Sequence, residues 1–214
     1  MKGQTQAVTA VMITGIVMGG IGTAYLWGVP MLEKRQVEQD VTSTEEDVLN
    51  LRDEIESVSQ RGSGASSSVT IDADTITVDN EDEYIQITNQ LDQSAEQGFT
   101  WSLLDGEGYQ NLSWTTGATA IEGEDTPGVV AFQSIAGEGS SEITYRVEFR
   151  NMCSESTGDV SKVDLEADGQ TRGTGSVTIT LTNDGEEVSD TVIPDGACEG
   201  RTTRTTTLVD VQLG

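Results

Sequence analysis

The stretch Ala7–Leu32, AVTAVMITGIVMGGIGTAYLWGVPML, decides how the rest of the chain is read. No charged residue occurs from Gly3 to Leu32. A helix needs about 20 apolar residues to cross a bilayer, and this run exceeds that length. Gly15, Gly19, Gly20 and Gly22 would weaken a helix in water, but Gly15-x-x-x-Gly19 is a small-xxx-small pattern that lets two helices approach closely. Tyr25 and Trp27 near one end suit a membrane interface, and Pro30 is placed to kink or end the span. The expectation is a transmembrane or helix-packing segment over residues 4–32. A cleaved secretory signal is the rival, but it has a shorter apolar region and a small-x-small cleavage site, whereas this run leads into Glu33-Lys34-Arg35. Basic residues flank both ends, Lys2 on one side and Lys34 with Arg35 on the other, so the charge rule does not orient it.

Residues 33–60, EKRQVEQDVTSTEEDVLNLRDEIESVSQ, read as a helical stalk. Val41, Val48 and Ile55 fall at a positions of a heptad and Leu51 and Val58 at d, with Thr44 in the remaining core place. Two partners suit that stripe: a second copy in a coiled coil, or the chain's own domain or a neighbouring subunit. Ser43-x-x-Glu46 is a possible capping box, where the helix would restart. Residues 61–68, RGSGASSS, carry only small side chains after Arg61 and read as a flexible linker.

From Val69 onward short alternating runs are separated by turn residues. In Ile143-Thr-Tyr-Arg-Val-Glu-Phe149 the residues Ile143, Tyr145, Val147 and Phe149 share one face. Val177, Ile179 and Leu181 repeat the pattern, as do Val209, Val211 and Leu213. Asn183-Asp184-Gly185 is a hairpin signal between two runs. The expected fold is α+β: a long N-terminal transmembrane and stalk helix, then an antiparallel β-sandwich over 69–214, Ig-like by analogy. Cys153 and Cys198 are the only cysteines, and export would join them in a disulfide, the alternative being two buried thiols.

Acidic residues outnumber basic ones 37 to 11, for a net charge of −26. That surface repels phosphates and excludes nucleic acid as a partner. Scarce lysine with abundant Asp, Glu and Thr resembles proteins of extremely halophilic archaea, whose self-repulsion is screened at a Debye length of about 3 Å in 1 M salt. Disorder fits poorly with the regular β-branched runs, and metal binding fits loosely. Asp72-Ala-Asp74 and Asp79-Asn-Glu-Asp-Glu83 offer oxygen atoms to calcium but match no EF-hand loop, and no metal ligand or cofactor is assigned. The chain has no histidine, so a Ser-His-Asp triad and histidine-containing zinc sites are excluded; no catalytic residue stands out, and an enzyme is not expected. Gly169–Gly175 lacks the lysine of a phosphate loop. Trp101, Tyr109 and Trp114 are candidates for an aromatic sugar platform, Trp101 fitting a core position better. Asn111-Leu112-Ser113 is a glycosylation sequon and, like the disulfide, favours an extracellular C-terminal part.

Met1-Lys2-Gly3-Gln4, a basic residue and glycine before a short polar stretch and a long apolar helix, resembles the archaeal type IV pilins and archaellins. The likeness covers roughly the first 30 residues. It implies a leader of residues 1–3, cut by a prepilin peptidase between Gly3 and Gln4, with Lys2, Gly3 and Gln4 as the processing site. It also implies packing of the helix with other pilin-like subunits or itself, or storage in the membrane. An acid near the mature N-terminus, which many bacterial pilins carry, is absent from Gln4-Thr-Gln-Ala-Val8. The plain alternative is an uncleaved signal anchor. The functional expectation is a non-enzymatic surface protein, a pilin-like subunit or filament component with an assembly or adhesion role. The competing class is a membrane-anchored binding or sensory ectodomain that does not polymerise.

Overall fold

The computed structural model describes residues 2–91, 98–105, 126–137, 139–153, 159–190 and 202–214; the side chains of 2–11, 27, 30, 33, 98–100 and 153 fall outside it. One helix, α1 (Lys2–Gln60), precedes nine strands. These are β1 (Ser66–Asp79), β2 (Tyr84–Leu91), β3 (Gly98–Asp105), β4 (Gly128–Ala136), β5 (Ser141–Phe149), β6 (Met152–Cys153), β7 (Val160–Glu166), β8 (Arg172–Ser189) and β9 (Arg204–Leu213). They form a single sheet in the order β3-β4-β5-β2-β1-β8-β9-β7-β6. The chain divides into two compact units, Met1–Thr42 and Ser43–Gly214.

The antiparallel sandwich is corrected by this topology. The sheet is continuous and mixed, because β7 and β9 run parallel, from Val160 beside Arg204 to Glu166 beside Asp210. Two long strands hold it together. β1 pairs with β2 through its second half and with β8 through most of its length, and one extra residue between Ala73 and Ile76 marks the change. Such a bulge bends the strand and increases its twist, so one sheet can enclose a core without splitting in two.

In the second unit, the α1 residues Val48, Leu51, Ile55 and Val58 are fully buried, and Thr44 continues the stripe at 8% exposure. Steps of three and four keep these side chains on one helix face. That face lies on the sheet, as hydrogen bonds from five strands show. Asn89 Nδ2 donates to Thr44 Oγ1 at 3.0 Å, and Ser67 Oγ donates to Glu54 Oε2 at 2.7 Å. Gly128 N–H donates to Glu56 Oε1 at 3.0 Å, and Arg52 Nη2 donates to Asp105 Oδ2 at 2.7 Å. Asn183 Nδ2 donates to the carbonyls of Val58 and Ser59 at 3.1 and 3.0 Å. The alternating strand residues Ile85, Ile87, Tyr145, Val147, Ile179, Leu181, Val209 and Val211 supply the buried sheet face. The coiled-coil expectation is therefore corrected. The core positions from Thr44 to Val58 are spent on the chain's own sheet, which leaves none of them for a partner helix.

The transmembrane anchor, and the membrane localisation that followed from it, are corrected as well. Among the described residues no helix is long and apolar enough to cross a membrane. Within residues 12–26, four glycines and two threonines dilute the apolar character. α1 continues past Pro30.

The expected hairpin at Asn183-Asp184-Gly185 is also corrected. β8 runs straight through it, and Asp184 is the extra residue of a bulge opposite Val209 and Leu208 of β9. Gly185 has φ +121°, a conformation that bulges and tight turns share and that favours glycine. The bulge positions the Asn183 side chain under the end of α1, with its Oδ1 accepting the Gly185 N–H at 2.9 Å. Asn183 also joins the segment after the helix, accepting from Gly64 N–H at 2.7 Å and donating to Ala65 O at 2.9 Å. Residues 61–68, read as a flexible linker, thus hold a bonded turn followed by the first residues of β1. Asn183 is 1% exposed and serves two helix-end carbonyls, that of Val58 in a buried bond and that of Ser59 in a half-buried one. Asn183→Ala should cost about 1–3 kcal/mol by stranding them. Asn183→Asp should cost at least as much, because an acceptor replaces the donor; urea unfolding of the three proteins measures both.

Among the described residues there is no disulfide. Cys198 and the side chain of Cys153 lie outside them, so the expected pairing has no counterpart in the described structure.

Candidate functional site

The first unit contains the most unusual surface of the chain. Along α1, Ile16, Met18, Ile21, Leu26 and Leu32 are between 63% and 76% exposed, and Met12, Ile13 and Val17 are exposed as well. Large apolar side chains on a monomer surface are normally scattered singly. Here they recur on every turn and point to all sides, the pattern of a helix made to be surrounded. Gly15, Gly19, Gly20 and Gly22 lie among them, and a Cβ added at any of the four would meet nothing within 4 Å. The chain's own packing does not require these glycines, while close approach of another helix would use them. The Thr23 hydroxyl donates to Gly19 O at 2.8 Å, so it adds no unsatisfied donor to this surface. Lys2, Gly3 and Gln4 lie in the first turn of α1, with their side chains outside the described set.

The second unit carries a buried-charge clasp that the sequence reading missed. Arg52 is 8% exposed; its Nε donates to Asp53 at 2.7 Å, its Nη2 reaches Asp105, and Glu56 lies 4.0 Å away. A Cβ at Gly128 would stand 2.6 Å from Arg52 Cγ, so only glycine admits the clasp at that point. The available signal was an arginine beside Leu51, on the buried side of the heptad. Burial raises the Glu56 carboxyl above its ordinary range, against the opposing Gly128 N–H and Arg52. Burial likewise raises Glu45, and Asp47 is raised by burial, then by Asp72 and Glu46. A carboxyl whose folded pKa is raised binds more protons folded than unfolded, so stability grows as pH falls through the folded value toward the ordinary one. Asp79 acts in the opposite sense. Its Oδ1 accepts the Asp82 and Glu81 N–H groups at 3.0 and 2.9 Å, which holds it below its ordinary 3.8 and withdraws stability only at lower pH. The melting temperature should rise as pH falls from neutral toward the ordinary carboxylate range, and Glu45→Gln/Asp47→Asn/Glu56→Gln should flatten that rise; a profile unchanged by the triple substitution would refute the assignment.

Several of the remaining sequence candidates have structural partners. Asp74 Oδ2 accepts Gln90 N–H at 2.6 Å, and Lys162 pairs with Glu83 and, at 2.6 Å, with Asp164. No group of three potential metal-binding side chains occurs among the described residues. Arg146 stacks on Tyr84 at 4.2 Å and on Trp101 at 4.9 Å from the ring centroids, and donates to Gln86 at 3.1 Å. The guanidinium therefore occupies a face of each ring that a sugar would stack upon. Tyr109, Asn111 and Trp114 lie outside the described residues. No family model, curated protein or solved structure matches the chain.

Proposed function

We propose that the protein is a non-enzymatic, pilin-like structural subunit that assembles into a filament with copies of itself or similar subunits through the N-terminal part of α1. The observation that carries this reading is the apolar surface from Met12 to Leu32, exposed on every turn and threaded with glycines. Each large side chain buried in a helix–helix contact would contribute about 1.5–3 kcal/mol before the costs of association. The division of labour along α1 supports the same reading: residues 44–58 fasten the helix to its own sheet, and residues 12–32 are left for neighbours. Lys2-Gly3-Gln4 fits a prepilin peptidase acting before assembly.

The test is sedimentation of the purified chain from Gln4 onward, without residues 1–3, over a concentration series in concentrated salt. The wild-type chain should form large assemblies, and Ile16→Asp/Ile21→Asp should remain monomeric with unchanged circular dichroism. A wild-type chain that stays monomeric throughout would overturn the proposal.

A further inference from the structure

Lys34 and Arg35 follow the apolar run directly, are both exposed, and form no ion pair among the described residues. Four other cations of this −26 chain are engaged within it: Arg52 with Asp53 and Asp105, Arg61 with Glu54, Lys162 with Glu83 and Asp164, and Arg146 on its two rings; Arg172 and Arg204, far from the apolar run in sequence, likewise form no ion pair among the described residues. One turn further along α1 stands Glu38, also exposed and also without an ion pair among the described residues. At about 100° per residue, Glu38 projects between Lys34 and Arg35 when viewed down the axis. An internal Lys34–Glu38 pair has the cation on the N-terminal side, the weaker of the two orientations on a helix.

We infer that Lys34 and Arg35 form a basic collar that docks on Glu38 of a second copy of the chain, displaced along the helix by about one turn, and so sets the register in which the apolar runs pack. This rests on the assembly proposed above. The copy is the fitting occupant because the collar continues the apolar surface, and a parallel copy offers both an apolar run and a carboxylate at the matching offset. Apolar packing alone is tolerant of sliding; opposite charges at a fixed offset penalise the wrong registers.

The experiment compares the assembly threshold of the chain from Gln4 onward, by sedimentation velocity at about 0.15 M salt, where the Debye length is about 8 Å and exposed charges still interact, with that of three variants. Lys34→Glu/Arg35→Glu should raise the concentration for half-assembly by about tenfold, equivalent to about 1.4 kcal/mol. Adding Glu38→Lys to that variant restores complementarity with the signs exchanged, and should bring the threshold back to within about threefold of wild type. If Lys34→Glu/Arg35→Glu assembles like wild type while Ile16→Asp/Ile21→Asp does not, the collar is refuted and the assembly proposal stands. If all variants assemble like wild type, the assembly proposal falls with it. If the charge reversal leaves assembly intact but abolishes binding to vesicles of anionic phospholipid, the pair serves a lipid headgroup and the inference is wrong.

Discussion

Replacing Leu51 and Ile55 together by alanine should release residues 43–60 of α1 from the sheet and leave the second unit unfolded, or close to it, at room temperature. Both side chains are fully buried. Truncating a buried Leu or Ile to Ala costs about 2–5 kcal/mol, through lost transfer energy and the cavity left behind. A domain's whole stability is about 5–15 kcal/mol, so the pair removes much or all of it. The clasp cannot compensate, because Arg52 and Glu56 reach Asp105 and Gly128 only while the helix is seated. Urea unfolding followed by tryptophan fluorescence measures the loss. In the Ile16→Asp/Ile21→Asp background, where the proposed assembly is abolished, the loss should not depend on protein concentration, since the stripe packs within one chain; a stability that rises with concentration there would mean the seam is shared between copies after all.

The same residues show what a sequence discloses and what it withholds. The heptad spacing of Val41 to Val58 specifies a helix with one apolar stripe, and that period is the same whether a helix or a sheet covers it. The covering surface is assembled from β1, β2, β3, β4 and β8, and no local pattern announces it. Arg52 meets Asp105 across 53 positions, so the clasp was beyond any reading by spacing. Strands β5, β8 and β9 were legible because one buried face imposes a period of two on Ile143–Phe149, Val177–Leu181 and Val209–Leu213. β7 was not, since Val160 is out of phase with Val163 and Leu165, and all three are buried. Its parallel partner then turns an expected antiparallel fold into a mixed sheet. Asn183-Asp184-Gly185 misled for a physical reason: a hairpin turn and a bulge both call for a glycine at positive φ, and only the partner strand distinguishes them. Of the candidate interface, the uncharged run was plain in the sequence, whereas its exposure on every turn is a property of the folded chain.

Lowering the salt concentration from about 2 M to tens of millimolar should depress the melting temperature by more than about 10 °C, roughly 3–5 kcal/mol for a domain of this size. The cause is the charge of −26. At 1 M the Debye length is about 3 Å, and carboxylates on adjacent strands or helix turns hardly interact; at 0.01 M it is about 30 Å, and every acid on the head repels every other. The structure has little with which to offset that repulsion. Arg52 and Lys162, the cations that pair with acids from the folded interior, are each already shared by more than one carboxylate. Asp47 sits in one such cluster: burial raises its carboxyl first, and Asp72 and Glu46 raise it further. Helix and sheet both contribute to that cluster, so low salt should loosen the seating of α1 on the sheet. Melts in sodium chloride and potassium chloride should coincide at equal ionic strength, because screening depends on charge and concentration alone. Millimolar calcium at low ionic strength should restore little of the lost stability. Full recovery at that concentration would show that the acids bind a metal ion, and the explanation by screening would fail. Asp47→Asn/Asp72→Asn removes two of the three members of the cluster and should reduce the salt dependence, a change that a merely structural role for these side chains would not produce.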